Sequence, residues 1–381
     1  MARLLYLDTA RLGPISPTAL RLHTEFVRLA AEQPASLYCE DFIRHGAEAT
    51  PELVHQFPDL ALWQGLAEFK RTAATKLIGQ HCETYLASRS ANMMELAACM
   101  LKERCRRILV TDLIWPPYLR ILRGACRNSA TDIHVVPLRR QVYEEQMTHD
   151  VLLQTVTDNF RRHHCDGLFL TAIDHCGARF PVAALSRELG SEVLCSVVDA
   201  SQAFGHVSTH DLAAADFVFG STHKWLSSYF PLCLGFATNG RTQEKLRSII
   251  DNAPIDPLHS LADSWTGNTP CVSKETINLG PLFAASGAIS DSQVFPAPLE
   301  GWSDWMASDK NHWRVLHTSP QLNSRIILFQ SRSLITQKLS PAALRQQIES
   351  LGFAATTYSG AYVRISVPIH ENSARMESAF V

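Results

Sequence analysis

The chain has 381 residues, of which 46% are hydrophobic and 19% are charged. This composition supports one large or two medium folded domains and excludes wholesale disorder. Lys plus Arg (35) and Asp plus Glu (37) nearly cancel, giving a net charge of −2. The balance argues against binding to nucleic acid or to an anionic membrane through a broad basic surface.

The sequence carries few signals for a cellular location or for a metal site. The longest apolar stretches, such as 168–173, are far shorter than the roughly 20 residues that span a bilayer. The N-terminus lacks a secretory signal pattern, and the ten cysteines have irregular spacings that are typical of intracellular thiols. We therefore expect a cytoplasmic protein without membrane contact. We also predict no metal site, because the Cys/His clusters at 163–165 and 174–176 lack finger-like spacing.

Helical and strand-like patterns alternate along the middle of the chain. In chain order, helices are predicted over 62–78, 92–106, 119–126, 151–162 and 182–189. Strands are predicted over 107–111, 133–137, 167–171, 193–199 and 216–220. Continuous apolar strands between helices predict an α/β fold with a mostly parallel sheet covered on both faces. Ligands bind beyond the carboxyl ends of the strands in such sheets.

The pattern changes after about residue 241. Residues 251–312 are rich in Pro, Ser, Asp and Trp and are interpreted as loops and interface segments. A strand at 326–329, a helix at 341–351 and a strand at 362–367 predict a smaller C-terminal α/β unit. We expect residues 1–30 to join this small domain, residues 31–260 to form the large domain, and residues 261–381 to form an interface segment and the small domain.

The most informative stretch is 197–226, VVDASQAFGHVSTHDLAAADFVFGSTHKWL. One apolar strand ends at Asp199, and the next is followed by Ser221, His223 and Lys224. A lysine can form a Schiff base with an aldehyde, and a carboxylate can keep a heterocyclic nitrogen protonated. These are the two requirements of pyridoxal-phosphate chemistry.

This stretch resembles the class V aminotransferase and cysteine desulfurase family, a branch of the fold type I pyridoxal-phosphate enzymes. The family's D-x-x-Q/H-x-x-G-H segment and later S-x-H-K segment are matched by Asp199, Gln202, Gly205, His206, Ser221, His223 and Lys224. The resemblance implies pyridoxal 5′-phosphate as cofactor and Lys224 as its Schiff-base lysine. It implies that Asp199 contacts the pyridine nitrogen, Gln202 the phenolate oxygen, and Ser221 and His223 the phosphate.

Shorter matches extend the resemblance along most of the chain. Ser90, Ala91 and Asn92 stand at a helix start where the family binds phosphate, although a serine there is also a common N-cap. Trp115 follows a strand where related enzymes carry a ring-stacking aromatic, and a core tryptophan is the alternative. The segment 171–181 implies that Asp174 or His175 lies near the cofactor or substrate.

Two further matches concern the substrate and a second subunit. Arg364 lies in a V-R-I-S motif whose arginine binds the substrate carboxylate in the family, and Thr9 lies in the N-terminal Y-L-D-x-A match. Asn268 or Thr269 matches the segment that reaches the neighbouring subunit's phosphate, which implies a homodimer with shared sites.

Departures from the family concern the reaction. The glycine-rich turn after the lysine is replaced by the bulkier stretch 227–235, and Cys233 and Cys271 come too early to be a desulfurase's reactive cysteine. The favoured hypothesis is a lyase that eliminates the β-substituent of a substituted cysteine in specialised metabolism. An aminotransferase, an epimerase and a non-catalytic relic that binds the cofactor are the alternatives.

Overall fold

The computed structural model describes residues 4–33, 40–252, 256–266, 277–292, 313–316 and 318–366. Strands occupy β1 (Leu5–Tyr6), β2 (Glu83–Ala87), β3 (Arg107–Thr111), β4 (Asp132–Val136), β5 (Gly167–Thr171), β6 (Cys195–Asp199), β7 (Phe217–Ser221), β8 (Cys233–Ala237), β9 (Trp313–Leu316), β10 (Ile326–Ser331), β11 (Phe353–Ala354), β12 (Thr356–Tyr358) and β13 (Tyr362–Ser366).

The strands alternate with helices of very different lengths. The helices are α1 (Pro17–Glu32), α2 (Glu40–His45), α3 (Pro51–Gln56), α4 (Leu66–Ile78), α5 (Ser90–Arg104), α6 (Pro116–Cys126), α7 (Arg139–Tyr143), α8 (His149–Arg162), α9 (Val182–Leu189), α10 (Gly240–Asn252), α11 (Pro257–Thr266), α12 (Gly280–Asp291), α13 (Leu334–Gln337) and α14 (Pro341–Ser350).

A seven-stranded sheet in the order β2-β8-β7-β6-β5-β3-β4 forms the centre of the molecule. The neighbours from β7 to β4 pair in parallel, whereas β8 is antiparallel to both β2 and β7. Every residue of β5, β6, β7 and β8 is buried. The predicted α/β fold with a mostly parallel sheet is confirmed. The antiparallel strand β8 and its neighbour β2 were not predicted.

A second, four-stranded antiparallel sheet has the order β12-β13-β10-β9. Its apolar side packs with α14, as Leu344 and Ile348 share a buried cluster with Val363 and Ile365. The N-terminal strand β1 pairs in parallel with β11, and Asp8 forms an isolated bridge with Ser366. The first residues of the chain therefore lie against its C-terminal sheet.

Differences in helix boundaries have local causes. Helix α4 begins at Leu66 instead of 62, because Gly65 adopts a φ of +92° and residues 58–62 form a short 3₁₀ turn. Helix α6 begins at Pro116, since proline at the first position of a helix has the required φ and lacks only an unneeded N–H. Segment 251–312 was interpreted as loops, but its described residues contain α11 and α12. Among the described ranges, none of the helices has the length and apolar character of a membrane span.

Candidate active site

A cavity of about 600 Å³ opens at the carboxyl edge of the central sheet. The last residues of three neighbouring strands, Thr171, Asp199 and Ser221, all line it. Its volume is within the usual range for sites that bind small molecules and cofactors. The cavity therefore lies where parallel α/β sheets bind their ligands.

Most of the residues predicted for the site meet in this cavity. The predicted residues that line it are Ser90, Ala91, Trp115, His175, Asp199, Gln202, Ser221, His223, Lys224 and Arg364. Thr9, Asn92 and Asp174 are described but do not line it. Asn268 and Thr269 lie outside the described residues.

Lys224 lies in a tight turn that follows β7. The turn is closed by the Ser227 N–H, which donates to the Lys224 carbonyl at 3.0 Å, and Gly13 donates to the His223 carbonyl at 2.8 Å. A Cβ on Gly13 would lie 1.8 Å from the Lys224 oxygen, so only glycine allows this approach. Burial lowers the pKa of Lys224 to about 8, against the opposing effect of the Asp199 charge. The free amine is therefore a minor form at pH 7, on the order of a tenth, but far more abundant than in an ordinary lysine.

Asp199 ends β6 and is buried, with 6% of its surface exposed. Its Oδ1 accepts a hydrogen bond of 2.9 Å from the Ser201 N–H. Burial raises the pKa of this carboxyl, whereas Ser201 and the charge on Lys224 act in the opposite direction. A cationic group placed against Asp199 would favour its ionised form further.

Gln202 and His206 fix the backbone beside Lys224. The Gln202 amide donates to the Ala10 carbonyl and accepts from the Trp225 indole, both at 2.8 Å. The His206 ring stacks on Trp225 at 3.8 Å between centroids. Its Nε2 accepts from the Arg325 N–H and its Nδ1 contacts the Gln202 carbonyl, and burial lowers its pKa to about 3. His206 is therefore a neutral positioning residue.

One end of the cavity collects donors suited to an anion. Ser90 and Ala91 stand at the N-terminus of the 15-residue helix α5, where free backbone N–H groups attract negative charge. Ser221 Oγ and His223 Nδ1 are buried without a hydrogen-bond partner. Burial and the neighbouring Lys224 lower the pKa of His223 to about 4, so the ring is neutral at pH 7.

Arg89 also lines this end and was not predicted as a ligand. It occupies the N-cap of α5 and its side chain makes no capping hydrogen bond. A cation is disfavoured at the positive end of a helix dipole, and arginine is a poor N-cap. An anion bound at this helix end would resolve both conflicts.

Trp115 and Tyr118 form an aromatic wall. Trp115 is 43% exposed, lines the cavity and meets Tyr118 edge to face at 5.0 Å. Tyr118 is buried, and desolvation raises its pKa well above the usual value. Trp115 is therefore not a core residue, which was the alternative interpretation of this side chain.

Asp174 and His175, the two candidate residues of the 174–176 turn, have different surroundings. Asp174 is fully buried, and its Oδ1 accepts from the Tyr143 hydroxyl at 2.6 Å and from the N–H groups of Cys176, Gly177 and Ala178. His175 lines the cavity instead, and burial lowers its pKa to about 4. Asp174 thus organises the turn that presents His175 to the cavity.

Ligand atoms of residues 174–176 lie within 4.8 Å of one another, a spacing compatible with a metal. However, the Arg139 guanidinium lies 3.7 Å from Cys176 Sγ. Its positive charge opposes a cation at this position.

Arg364 reaches the cavity from β13 and is already held by other groups. Its Nη2 lies 3.0 Å from Asp8 Oδ1 and 3.1 Å from the Thr356 oxygen, and its Nη1 donates to the His175 carbonyl at 3.2 Å. Thr9, next to Asp8, is buried with its hydroxyl unpartnered but does not line the cavity.

Sequence reasoning missed several lining residues. They are Arg11, Arg89, Tyr118, Thr171, Ser201, Thr356 and Tyr358. Thr171 could have been predicted by the same argument that identified Asp199, because both residues end a strand of the parallel sheet. Tyr358 lies on the small sheet, and nothing in its local sequence places it in this cavity.

Comparisons with known proteins agree on the fold. No family model matches the sequence, and no curated protein sequence matches it. Solved structures match over nearly the whole chain. A ureidoglycine–glyoxylate aminotransferase from Bacillus subtilis is 14% identical over 100% of this chain and 90% of its own, with a TM-score of 0.66. A cysteine desulfurase from Escherichia coli is 13% identical over 99% and 92%, with a TM-score of 0.67.

The third structure is the cystine C–S lyase C-DES in complex with its product, cysteine persulfide. It is 14% identical over 98% of this chain and 95% of its own, with a TM-score of 0.66. The chain therefore has the fold that these three enzymes share, an α/β fold built on a mostly parallel sheet. The fold expected from the motifs is confirmed.

Proposed function

We propose that this chain is a pyridoxal-phosphate-dependent enzyme that acts on an amino acid. The observation that carries the proposal is a lysine of lowered pKa, Lys224, that faces a sheet-end cavity together with the buried carboxylate of Asp199. A desolvated lysine is an effective nucleophile toward a carbonyl carbon.

The residues of the cavity fit this cofactor. Thr171 Oγ1, Ser221 Oγ and His223 Nδ1 are buried polar atoms without partners, and all three residues line the cavity. Buried polar atoms in folded proteins nearly always have a hydrogen-bond partner, so these atoms indicate a polar ligand. Ser90, Ala91, Ser221 and His223 would hold its phosphate, and Asp199 would accept a hydrogen bond from its ring nitrogen.

When bound, pyridoxal phosphate supplies an aldehyde that condenses with amines and a ring that delocalises the charge left when a Cα–H bond breaks. Lys224 would hold the cofactor and, once released by the substrate amine, remove the Cα proton. Its pKa of about 8 suits both tasks near neutral pH. The Trp115 indole would cover one face of the ring. Both ends of the Gln202 amide are engaged by protein groups, so we assign it a positioning role.

The reaction we favour is β-elimination from an S-substituted cysteine. Pro231 and Leu232, from the bulky segment 227–235, form part of the cavity wall, which offers apolar surface to a β-substituent. The C–S lyase among the structural neighbours supports this choice. Cys233 is fully buried on β8, and burial raises its pKa far above the usual value. It therefore lacks the exposure and thiolate character of a desulfurase's reactive cysteine.

Transamination is the second candidate. Two of the structural neighbours, from Bacillus subtilis and from a Nostoc species, are glyoxylate aminotransferases. The groups that bind an amino acid and remove its Cα proton are the same for both reactions. Three further parts complete the proposal: a homodimer with shared sites, from the motif resemblance; a cytoplasmic location, from the cysteine pattern; and a role in specialised metabolism, from the unusual segment 227–235.

A panel experiment tests the proposed function. Purified protein loaded with pyridoxal phosphate would be mixed with amino acids and S-substituted cysteines, with the cofactor spectrum and the products followed. Ammonia, a released thiol and a keto acid with retained pyridoxal phosphate would support the lyase. Pyridoxamine phosphate with a keto acid would establish the aminotransferase. A protein that takes up no pyridoxal phosphate would contradict the proposal as a whole.

The placement of Arg89 leads to a separate prediction. Arg89→Ala is expected to weaken binding of pyridoxal phosphate roughly tenfold, through loss of a charge-assisted hydrogen bond. Binding of pyridoxal, which lacks the phosphate, should stay unchanged. Absorbance titrations of both compounds provide the measurement. Arg106→Ala, at an exposed arginine away from the cavity, is the control. Equal weakening for both compounds would place Arg89 elsewhere than at the phosphate.

A further inference from the structure

The positive charges of the cavity are divided between two ends. Four cationic side chains line it: Arg11, Arg89, Lys224 and Arg364. Arg89 lies close enough to His223 to act on its pKa, at the helix end of the cavity. Arg11 and Arg364 share the other end, because the Arg11 N–H donates to the Asp8 carbonyl and the Asp8 carboxylate pairs with Arg364. That second end would face the substrate.

The charge on Arg364 is already balanced by the protein. Its Nη2 lies 3.0 Å from Asp8 Oδ1, and the two side chains are only 6% and 8% exposed. The Thr356 hydroxyl contacts both Asp8 oxygens, at 2.7 and 2.8 Å, which holds the carboxylate in place. The negative charge of Asp8 offsets part of the attraction that Arg364 exerts on a second carboxylate. Arg364 can therefore orient a carboxylate by hydrogen bonding but attracts it less than an unpaired arginine would.

Among the described residues, Arg11 has no such counter-charge. Within the part of the chain that the structure describes, its side chain forms no ion pair, and it is exposed at the rim of the cavity. Its backbone is fixed, because the Arg11 N–H donates to the Asp8 carbonyl at 2.9 Å and the Ala10 carbonyl accepts from Gln202. The two guanidinium groups and the Asp8 carboxylate together leave one positive charge at this end, which matches one carboxylate.

We propose that Arg11 supplies the net positive charge that binds the substrate's α-carboxylate, whereas Arg364, paired with Asp8, fixes its orientation. This inference rests on the proposed function, because it requires an amino-acid substrate in the cavity. It makes Arg11 a specificity-determining residue. The site then distinguishes an amino acid from its amide, which lacks the carboxylate charge, mainly through the Arg11 side chain.

The test uses a pair of probes that differ only in this charge. 2-Methylalanine has no Cα hydrogen, so it binds without turnover, and its primary amide is the matched probe that lacks the carboxylate charge. Dissociation constants for the cofactor-loaded protein would be measured by calorimetry and by the cofactor's absorption spectrum. Comparing the acid-to-amide ratio between variants cancels the different basicities of the two amines.

Arg11→Gln is expected to lower the acid-to-amide preference roughly tenfold, whereas Arg11→Lys, which keeps the charge, should retain most of it. Asp8→Asn should raise the preference, because it frees the Arg364 charge. Uptake of pyridoxal phosphate and the thermal midpoint would be checked for each variant.

The outcomes separate the two proposals. An unchanged preference in Arg11→Gln, or a wild-type protein without any preference, would overturn the role of Arg11. So would a fall in preference for Asp8→Asn in a folded, cofactor-binding protein, since Arg364 would then be the main carboxylate ligand. If the wild type binds no pyridoxal phosphate, or neither probe alters its spectrum, the proposed function itself fails and this inference falls with it.

Discussion

Replacing Lys224 with alanine is expected to abolish covalent attachment of pyridoxal phosphate and to lower turnover roughly a thousandfold or more. Lys224 is the lysine that lines the cavity, and its lowered pKa of about 8 leaves far more free amine near neutral pH than an ordinary lysine has. Borohydride reduction followed by mass spectrometry of peptides should find the reduced cofactor on Lys224 in the wild type and on no peptide of the variant.

Lys70→Ala is the matched control for this experiment. Lys70 is also buried, with 9% of its surface exposed, and burial lowers its pKa as well. It donates to the Thr266 hydroxyl at 3.1 Å and does not line the cavity. Attachment of the cofactor should survive in this variant, even if its stability falls. A labelled peptide in Lys224→Ala, or an unlabelled Lys224 in the wild type, would contradict the assignment.

Acid is expected to unfold the cofactor-free protein well above the pH at which its carboxylates titrate. Burial lowers the pKa of His175, His223 and His259 to about 4 and that of His206 to about 3. In the unfolded chain these rings titrate near 6.5, so the unfolded state binds more protons as the pH falls from 6.5 toward 4. The contribution of these neutral rings to the free energy of unfolding is fully present above pH 6.5 and is lost as the pH falls from 6.5 toward 4.

The expected effect is large. At roughly 1.4 kcal/mol per pKa unit, His175, His223 and His259 each contribute at most about 3.5 kcal/mol and His206 at most about 5 kcal/mol. Together the four contributions match the whole stability of a typical domain. Urea unfolding at a series of pH values from 7.5 to 4 measures the slope. His259→Phe, which keeps a ring against Tyr85, should make the slope shallower. A free energy of unfolding that stays constant between pH 6.5 and 4.5 would refute this explanation.

The sequence predicted those parts of the fold that local patterns determine. Apolar runs bounded by polar residues located β3 and β5 without error, and the same rule placed Asp199 at the end of β6. Strand β8 was missed because it begins inside the unusual segment 227–235 and runs antiparallel to β7, so it is not preceded by the crossover helix that a parallel strand needs. Strand β2 was missed with its partner.

The site was predictable where one motif carries several side chains, as it is for Ser221, His223 and Lys224. Asp174 lies shortly after the end of β5, and Asp199 is the last residue of β6. Yet Oδ1 of Asp174 already accepts hydrogen bonds from the N–H groups of its own turn. A local sequence pattern cannot distinguish a carboxylate that lines the cavity from one that is bound by its own turn. The pairing of Asp8 with Arg364 joins residues 356 positions apart, which no spacing rule can anticipate.

That separation constrains the order in which the protein can be assembled. During synthesis the strands from β2 to β8 leave the ribosome long before residue 364, so the central sheet and the Lys224 turn can form first. The N-terminal segment must wait for β11 and β13 before Asp8 gains Ser366 and Arg364 as neighbours. Because contacts between distant residues form slowly, the proposed substrate end of the cavity forms last. A nascent chain can thus complete the turn that carries Lys224 before it completes the end of the cavity that holds Arg11 and Arg364.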